Sequence, residues 1–164
     1  MNRIEVENRG LDEKIFTAIC GMQDLSPLFK ALGLRFTYLG EGVAGISMYP
    51  SPIYSSHPGR VNGGIIAVLA DNVMGMAAIT LGNIVRSVEI NMNYLAPVFD
   101  EKMLTGEGYV ISAGRSIIVA EANLSNDQGK LAAKSRGTFI VERNSPLMEQ
   151  ARLLTDKTVT DALI

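Results

Sequence analysis

Between Ile65 and Ile79 the chain carries almost no polar side chain, whereas from Ser87 to Tyr94 polar and apolar residues alternate one by one. The first pattern predicts a helix from about Gly64 to Leu81, roughly 26 Å long at 1.5 Å per residue. Its apolar residues run almost all round, so it is expected to be buried on every side. The second pattern has period two and predicts a half-buried strand, with Val88, Ile90, Met92 and Tyr94 on one face and Ser87, Glu89, Asn91 and Asn93 on the other. Pro97 ends it. Three more strand-like runs follow at residues 102–111, 116–125 and 130–142. Hairpin-like turns join them at Ser112-Ala113-Gly114-Arg115 and Asn126-Asp127-Gln128-Gly129.

Upstream, Leu11, Ile15, Phe16 and Ile19 have helical spacing. Residues 26–33 read as a second short helix, with Ser26 as N-cap, Pro27 in the first turn and Gly33 as the stop. Strands are expected at 34–39 and 43–49, hinged at Gly40-Glu41-Gly42. A proline-punctuated loop at 51–60 then leads into the long helix. This order divides the chain into N-terminal helices (1–31), a main domain (32–144) and a tail (145–164) in which Ser145-Pro146 would open a helix over 147–154. Strands segregated from a single long helix predict an α+β fold, one curved antiparallel sheet of about six strands wrapped around that helix. Such a sheet leaves an edge to cover, and pairing with a second copy would cover it.

Composition narrows the function. The 164 residues are 47% apolar and 20% charged with a net charge of −2, as expected of a globular domain without a nucleic-acid footprint. One cysteine, Cys20, leaves no intrachain disulfide, and one histidine, His57, leaves zinc and Ser-His-Asp chemistry short of parts. The first residues, Met1-Asn2-Arg3-Ile4-Glu5, do not resemble a signal peptide. No apolar run reaches the ~20 residues of a membrane span, so a soluble cytoplasmic protein is expected.

Two features interrupt the apolar helix. Asp71 has Ala67, Val68, Met74 and Gly75 as its neighbours at three and four residues. A carboxylate there must find partners or bear a desolvation penalty; it is either a core aspartate satisfied by a hydroxyl or a reactive group. Asn62-Gly63-Gly64 stands at the helix start, where glycines admit a ligand close to the backbone and free N–H groups attract negative charge. The alternative is an Asn N-cap followed by a tight turn.

The segment from Asn62 through Gly63-Gly64 to Asp71-Asn72 resembles the signature of the phenylacetate-pathway (PaaI-like) acyl-CoA thioesterases of the hotdog fold, in which His-Gly-Gly precedes an apolar stretch and Asp-Asn or Asp-Thr. Ser87 to Pro97, Gly114-Arg115-Ser116 and Ser135-Arg136-Gly137 extend the resemblance. It implies that Asp71 is the catalytic carboxylate, as nucleophile or as general base on water. It also implies that the Gly63 N–H polarises the thioester carbonyl and that Ser87 positions the attacking water. Gly64, Ser56 and Asn72 would contact substrate, as would Gly114, Arg115, Ser116 and Arg136 on the coenzyme A side, where a guanidinium suits phosphate. Arg60 and His57 read better as solvated residues; Met74, Met76 and Met92 could line an acyl tunnel or simply fill core. No metal and no cofactor beyond the coenzyme A of the substrate is implied.

Asn62 completes the catalytic set that the resemblance implies, but stands where many relatives have histidine: it can orient loop and substrate through hydrogen bonds and cannot exchange a proton near neutral pH. Gly63 and Asp71, eight residues apart, are roughly 12 Å apart along one helix, so one thioester carbon cannot reach both. A site would combine Gly63 of one subunit with Asp71 of another, which requires a homodimer or a dimer of dimers. Two other readings stand beside the enzyme: a non-catalytic acyl-CoA-binding or regulatory module, which Asn62 favours, and a hydratase, which the lack of a helix histidine disfavours.

Overall fold

The computed structural model describes residues 5–147 and 149. In chain order the elements are β1 (Glu7–Arg9), α1 (Glu13–Leu25), α2 (Pro27–Leu32), β2 (Arg35–Gly40), β3 (Val43–Met48), a 3₁₀ turn at Pro52–Tyr54, β4 (Ser55–His57), β5 (Arg60–Val61), α3 (Gly63–Ile79), β6 (Asn83–Tyr94), β7 (Leu104–Ala113), β8 (Ile117–Ser125) and β9 (Leu131–Pro146). The main sheet has the order β1-β2-β3-β7-β8-β9-β6. It has seven strands where about six were expected. The addition is β1, a three-residue edge strand parallel to β2; all other neighbours pair antiparallel.

The sheet curves around α3, which packs against β3, β6, β7, β8 and β9. Leu69, Ala70, Val73, Met74, Ala77 and Ala78 are fully buried on its inner side. Burial of these side chains is the main favourable contribution to holding helix and sheet together. Helix and sheet meet at backbone distance because β7 carries glycine at 106 and 108: a Cβ on Gly108 would meet the carbonyl of Val73.

The expectation of burial on every side does not hold for the single chain. Gly64, Ala67, Val68, Asp71, Asn72, Gly75 and Met76 form a seam, exposed at Gly64 and half-buried beyond it, along one side of α3. Their spacing of three and four residues is that of one helical face.

Side-chain caps set the helix starts, Ser26 as expected and Asp12 in addition. Asp12 accepts from the N–H groups of Lys14 and Ile15, and Ser26 accepts from that of Phe29. Gly33, at φ 65°, stops α2 in the left-handed conformation that glycine adopts readily. The 51–60 segment is more ordered than a loop: β4 and β5 pair as a small hairpin. At the far end β9 runs through Pro146, so Ser145-Pro146 closes a strand instead of opening a helix. Leu147 is helical, and most of the expected tail helix lies outside the described residues.

Candidate active site

Helix α3 begins at a cap that uses both ends of one side chain. Asn62 has extended backbone (φ −62°, ψ 137°), its Oδ1 accepts from the Gly64 N–H at 2.7 Å, and its Nδ2 donates to Ser56 Oγ at 2.7 Å. The helix start is thereby tied to the β4 edge of the small hairpin. The Asn62 N–H also donates to the Tyr54 carbonyl at 2.9 Å. Sequence-expected Asn62, Ser56 and Gly64 thus form one hydrogen-bonded unit. Gly63 is the first helical residue, where a helix offers its N–H groups no carbonyl of its own.

Two turns further along α3, Asp71 Oδ1 accepts a hydrogen bond of 2.6 Å from Ser87 Oγ. A bulge in β6 between Ser87 and Glu89 makes this contact possible. It shifts the alternation by one residue, so Ser87 meets the helix, Ile90 and Met92 pack on the core, and Val88 is left 62% exposed. The unbroken alternation expected from the sequence, with Val88 on the face of Ile90, is corrected accordingly. Asp71 is half-buried and Ser87 exposed in the single chain. Gly63 and Asp71 both belong to α3, so the structure keeps these two expected residues about 12 Å apart within one subunit.

The other expected residues lie elsewhere. Asn72 Nδ2 donates to the Val68 carbonyl at 2.8 Å, one turn back on its own helix. Gly114 and Arg115 line a pocket of about 380 Å³ beyond the C-terminal end of α3, with Leu81, Asn83, Ile118 and Val141 among its walls. Ser116 accepts from the Val141 N–H through its carbonyl. Arg136 points along the outer sheet face and is held by Glu121, at 3.1 Å from Nε and 3.0 Å from an Nη. The Tyr109 hydroxyl donates to the same carboxylate, which with nearby Lys134 and Arg136 holds Glu121 below its ordinary pKa. His57 is exposed, and the Arg60 guanidinium lies 6.0 Å from the Phe99 ring centroid. Met74 belongs to the core; Met76 and Met92 are only partly buried.

Tyr94 is the residue whose part at the helix start sequence reasoning missed. Its hydroxyl donates to the Gly63 carbonyl at 2.8 Å, and its ring lies where a Gly63 side chain would be, with Cζ 3.2 Å from the place a Cβ would take. Period-two counting put it on the inward face of β6, and nothing in the local pattern showed which residue 31 positions away it would meet.

The chain matches the family model described as the thioesterase superfamily over residues 58–133, the segment that carries α3, β6 and the Asp71–Ser87 pair. A Saccharolobus solfataricus protein named "Putative esterase" is 30% identical over 118 residues, which cover 71% of this chain and 84% of that one. The chain belongs to the thioesterase superfamily. Its reaction class is thioester hydrolysis. Among solved structures, the E. coli PaaI protein from the phenylacetic acid degradation operon superposes with a TM-score of 0.78 at 24% identity, covering 83% of this chain and 99% of that one. A Streptococcus pneumoniae protein described as a hypothetical thioesterase, determined with coenzyme A, gives 0.64 at 21%, covering 69% and 90%. The hotdog architecture and the resemblance to the phenylacetate-pathway thioesterases are both borne out.

Proposed function

We propose that this thioesterase hydrolyses acyl- or aryl-CoA thioesters to the free acid and coenzyme A, in a site built from two subunits. The observation that carries this reading is the 2.6 Å Ser87–Asp71 hydrogen bond on the half-exposed seam of α3. A carboxylate retained on an apolar helix, oriented through one oxygen and not locked in an ion pair, is fitted for proton transfer or attack. Asp71 Oδ2 stays available, as no other hydrogen bond to this side chain is made among the described residues.

In the general-base form, Asp71 takes a proton from water as the water oxygen bonds to the thioester carbon. The carbonyl oxygen becomes an oxyanion held by the Gly63 N–H and the start of α3. The C–S bond then breaks, and the thiolate of coenzyme A takes the proton from Asp71. In the nucleophile form, an Asp71 oxygen bonds to the carbonyl carbon and the C–S bond breaks to release the thiolate of coenzyme A. Water then hydrolyses the resulting anhydride, which frees the acid and Asp71, and the thiolate takes a proton from that water. Either form needs Gly63 and Asp71 at one carbon, which one α3 helix cannot supply. The seam of α3 and the adjacent 12-residue edge strand β6 are the surface on which a second copy would complete the site.

Coenzyme A enters as part of the substrate, as the coenzyme A complex of the pneumococcal relative suggests. The Gly114-Arg115 pocket at the far end of α3 offers a guanidinium for its phosphates. Asn62, engaged as cap and as donor to Ser56, serves as an organiser of the helix start and carries no proton in the reaction. No helix among the described residues is long and apolar enough to cross a membrane, consistent with a cytoplasmic enzyme acting on a soluble thioester.

The test is free-thiol release from a panel of alkyl- and aryl-CoA thioesters, with wild type beside Asp71→Ala. Turnover lost in the variant with the oligomer intact supports the assignment. Saturable acyl-CoA binding without turnover by either protein would replace it with the non-catalytic binding module.

A further inference from the structure

The start of α3 places two glycines in succession, Gly63 and Gly64, where the reaction requires an N–H fixed in space. Glycine opens the backbone to a substrate, but it also has the largest conformational freedom of any residue. An oxyanion donor stabilises a transition state only to the extent that it is already in position when charge develops. A Gly-Gly donor therefore needs external restraint. Two side chains supply it from opposite sides: Asn62 Oδ1 holds the Gly64 N–H at 2.7 Å, and Tyr94 Oη holds the Gly63 carbonyl at 2.8 Å. The aromatic ring adds a steric wall, since the atoms nearest to a Cβ at Gly63 would be Tyr94 Cζ, Cε1 and Oη, at 3.2–3.3 Å.

We propose that Tyr94 is a positioning residue for the oxyanion donor: its hydroxyl and ring pin Gly63 so that the Gly63 N–H, the one first-turn donor not taken up by the Asn62 cap, points at the thioester carbonyl. This assignment rests on the thioesterase reading given above. Tyr94 acts through Gly63 and not by touching the reacting atoms. Its hydrogen bond also polarises the peptide whose N–H belongs to Gly64, which strengthens the cap bond from that N–H to Asn62 Oδ1 and so the restraint on the turn. Strand β6 thus serves both halves of the composite site, with Ser87 orienting the carboxylate of Asp71 and, seven residues on, Tyr94 orienting the donor. Because Asp71 and Gly63 of one chain would serve different active sites, one strand orients groups in both.

The test is steady-state thiol release by wild type, Tyr94→Phe, Tyr94→Leu and Asp71→Ala, with melting temperature and oligomer mass measured for each. Tyr94→Phe keeps the ring and deletes only the hydroxyl. The expected result is a fall in kcat of about tenfold with KM within about twofold, the behaviour of an interaction that matters in the transition state. Tyr94→Leu, which removes the ring as well, is expected to fall further at an unchanged oligomer mass. Wild-type kcat in Tyr94→Phe, with Asp71→Ala inactive, overturns the role of Tyr94 and leaves the thioesterase reading standing. A raised KM at unchanged kcat overturns it too, since the hydroxyl would then be binding substrate directly. A wild type inactive on every thioester overturns the parent reading and this assignment with it.

Discussion

Ser87 and Asp71 meet at 2.6 Å, from strand β6 to helix α3, through a bulge that turns one hydroxyl out of the regular strand alternation. Bulges re-aim single side chains and recur beside active sites, and this one gives the helix carboxylate its partner. A hydroxyl can donate to Asp71 and still accept from a water molecule, which the apolar neighbours on the helix cannot do.

Removing that donor leaves Asp71 in place without its orientation. Ser87→Ala is expected to lower kcat for thioester hydrolysis by about tenfold, in the range of a lost hydrogen bond to a charged group. Asp71→Asn keeps the shape and removes the base, and should lower kcat by a hundredfold or more, roughly the contribution of a positioned general base. Equal effects in the two variants, read by thiol release, would show that the serine is more than a positioning group.

Asn62 is predicted to matter through structure. It caps α3 and bridges to Ser56, and replacing an Asn cap by Ala commonly costs about 1 kcal/mol. For a domain of this size that is roughly 2–4 °C in melting temperature. Asn62→Ala should show that loss by calorimetry, with Ser56→Ala losing less because the cap bond to Gly64 survives. A pH–rate profile that keeps its shape in Asn62→Ala would agree with a residue that carries no proton.

The parts of this molecule that the sequence disclosed are those written in periodicity. The switch from an apolar stretch at 65–79 to alternation at 87–94 marked α3 and β6, and Ser26, Pro27 and Gly33 marked the bounds of α2 because each acts on its neighbours in the chain. Asp71 stood out because a carboxylate among Ala, Val and Met has few neutral explanations. What stayed hidden was set by pairing over distance. Strand β1 is Glu-Asn-Arg, held to β2 through its backbone, so no side-chain pattern betrays it. The bulge beside Ser87 is invisible because Val88 extends the alternation in sequence while breaking it in space. The half-exposed seam of α3 was misread as buried because its Ala67, Val68, Gly75 and Met76 have the composition of a core.

The close approach of α3 to β7 makes Gly108 intolerant. A Cβ there would meet the Val73 backbone and come within 3.0 Å of the Met74 nitrogen. Backbone cannot move aside as a flexible side chain can, so Gly108→Ala should destabilise by about 3 kcal/mol, the upper range of overpacking. Gly129→Ala is the control: it has open space but φ +71°, so its penalty should stay near 1 kcal/mol. Urea unfolding of the two variants against wild type makes the comparison, and similar midpoints would refute the tight helix–strand contact.

Acid stability should depend on Glu121. The Tyr109 hydroxyl, Lys134 and Arg136 lower its pKa from the usual 4.5, so its contribution is fully present above that value and is lost as pH falls through the depressed folded-state value. Tyr109→Phe and Glu121→Gln should therefore be less stable than wild type at neutral pH and converge with it in acid. Unfolding midpoints at pH 7 and at progressively lower pH check the sign; a gap that widens in acid would contradict it.

The two-subunit site predicts complementation. Gly63 is the first residue of α3 and the preceding Asn62 has the extended backbone that proline prefers before it. Gly63→Pro should therefore keep the helix start and delete the N–H donor, while its ring pushes aside the exposed Tyr94 side chain of the same chain; melting temperature and oligomer mass check that the fold survives. Homodimers of Gly63→Pro and of Asp71→Ala should both be nearly inactive. In a mixed dimer one site carries both defects and the other carries neither, provided Gly63 and Asp71 of one site come from different chains. Random co-assembly makes about half the dimers mixed, each with one intact site of two, so about a quarter of wild-type activity should return in the unfractionated mixture and about half once the mixed dimers are isolated. If both residues served one site within a chain, no mixed dimer would hold an intact site and mixing would restore nothing. Co-expression of the two variants with different affinity tags, tandem purification and thiol-release assay separates these outcomes.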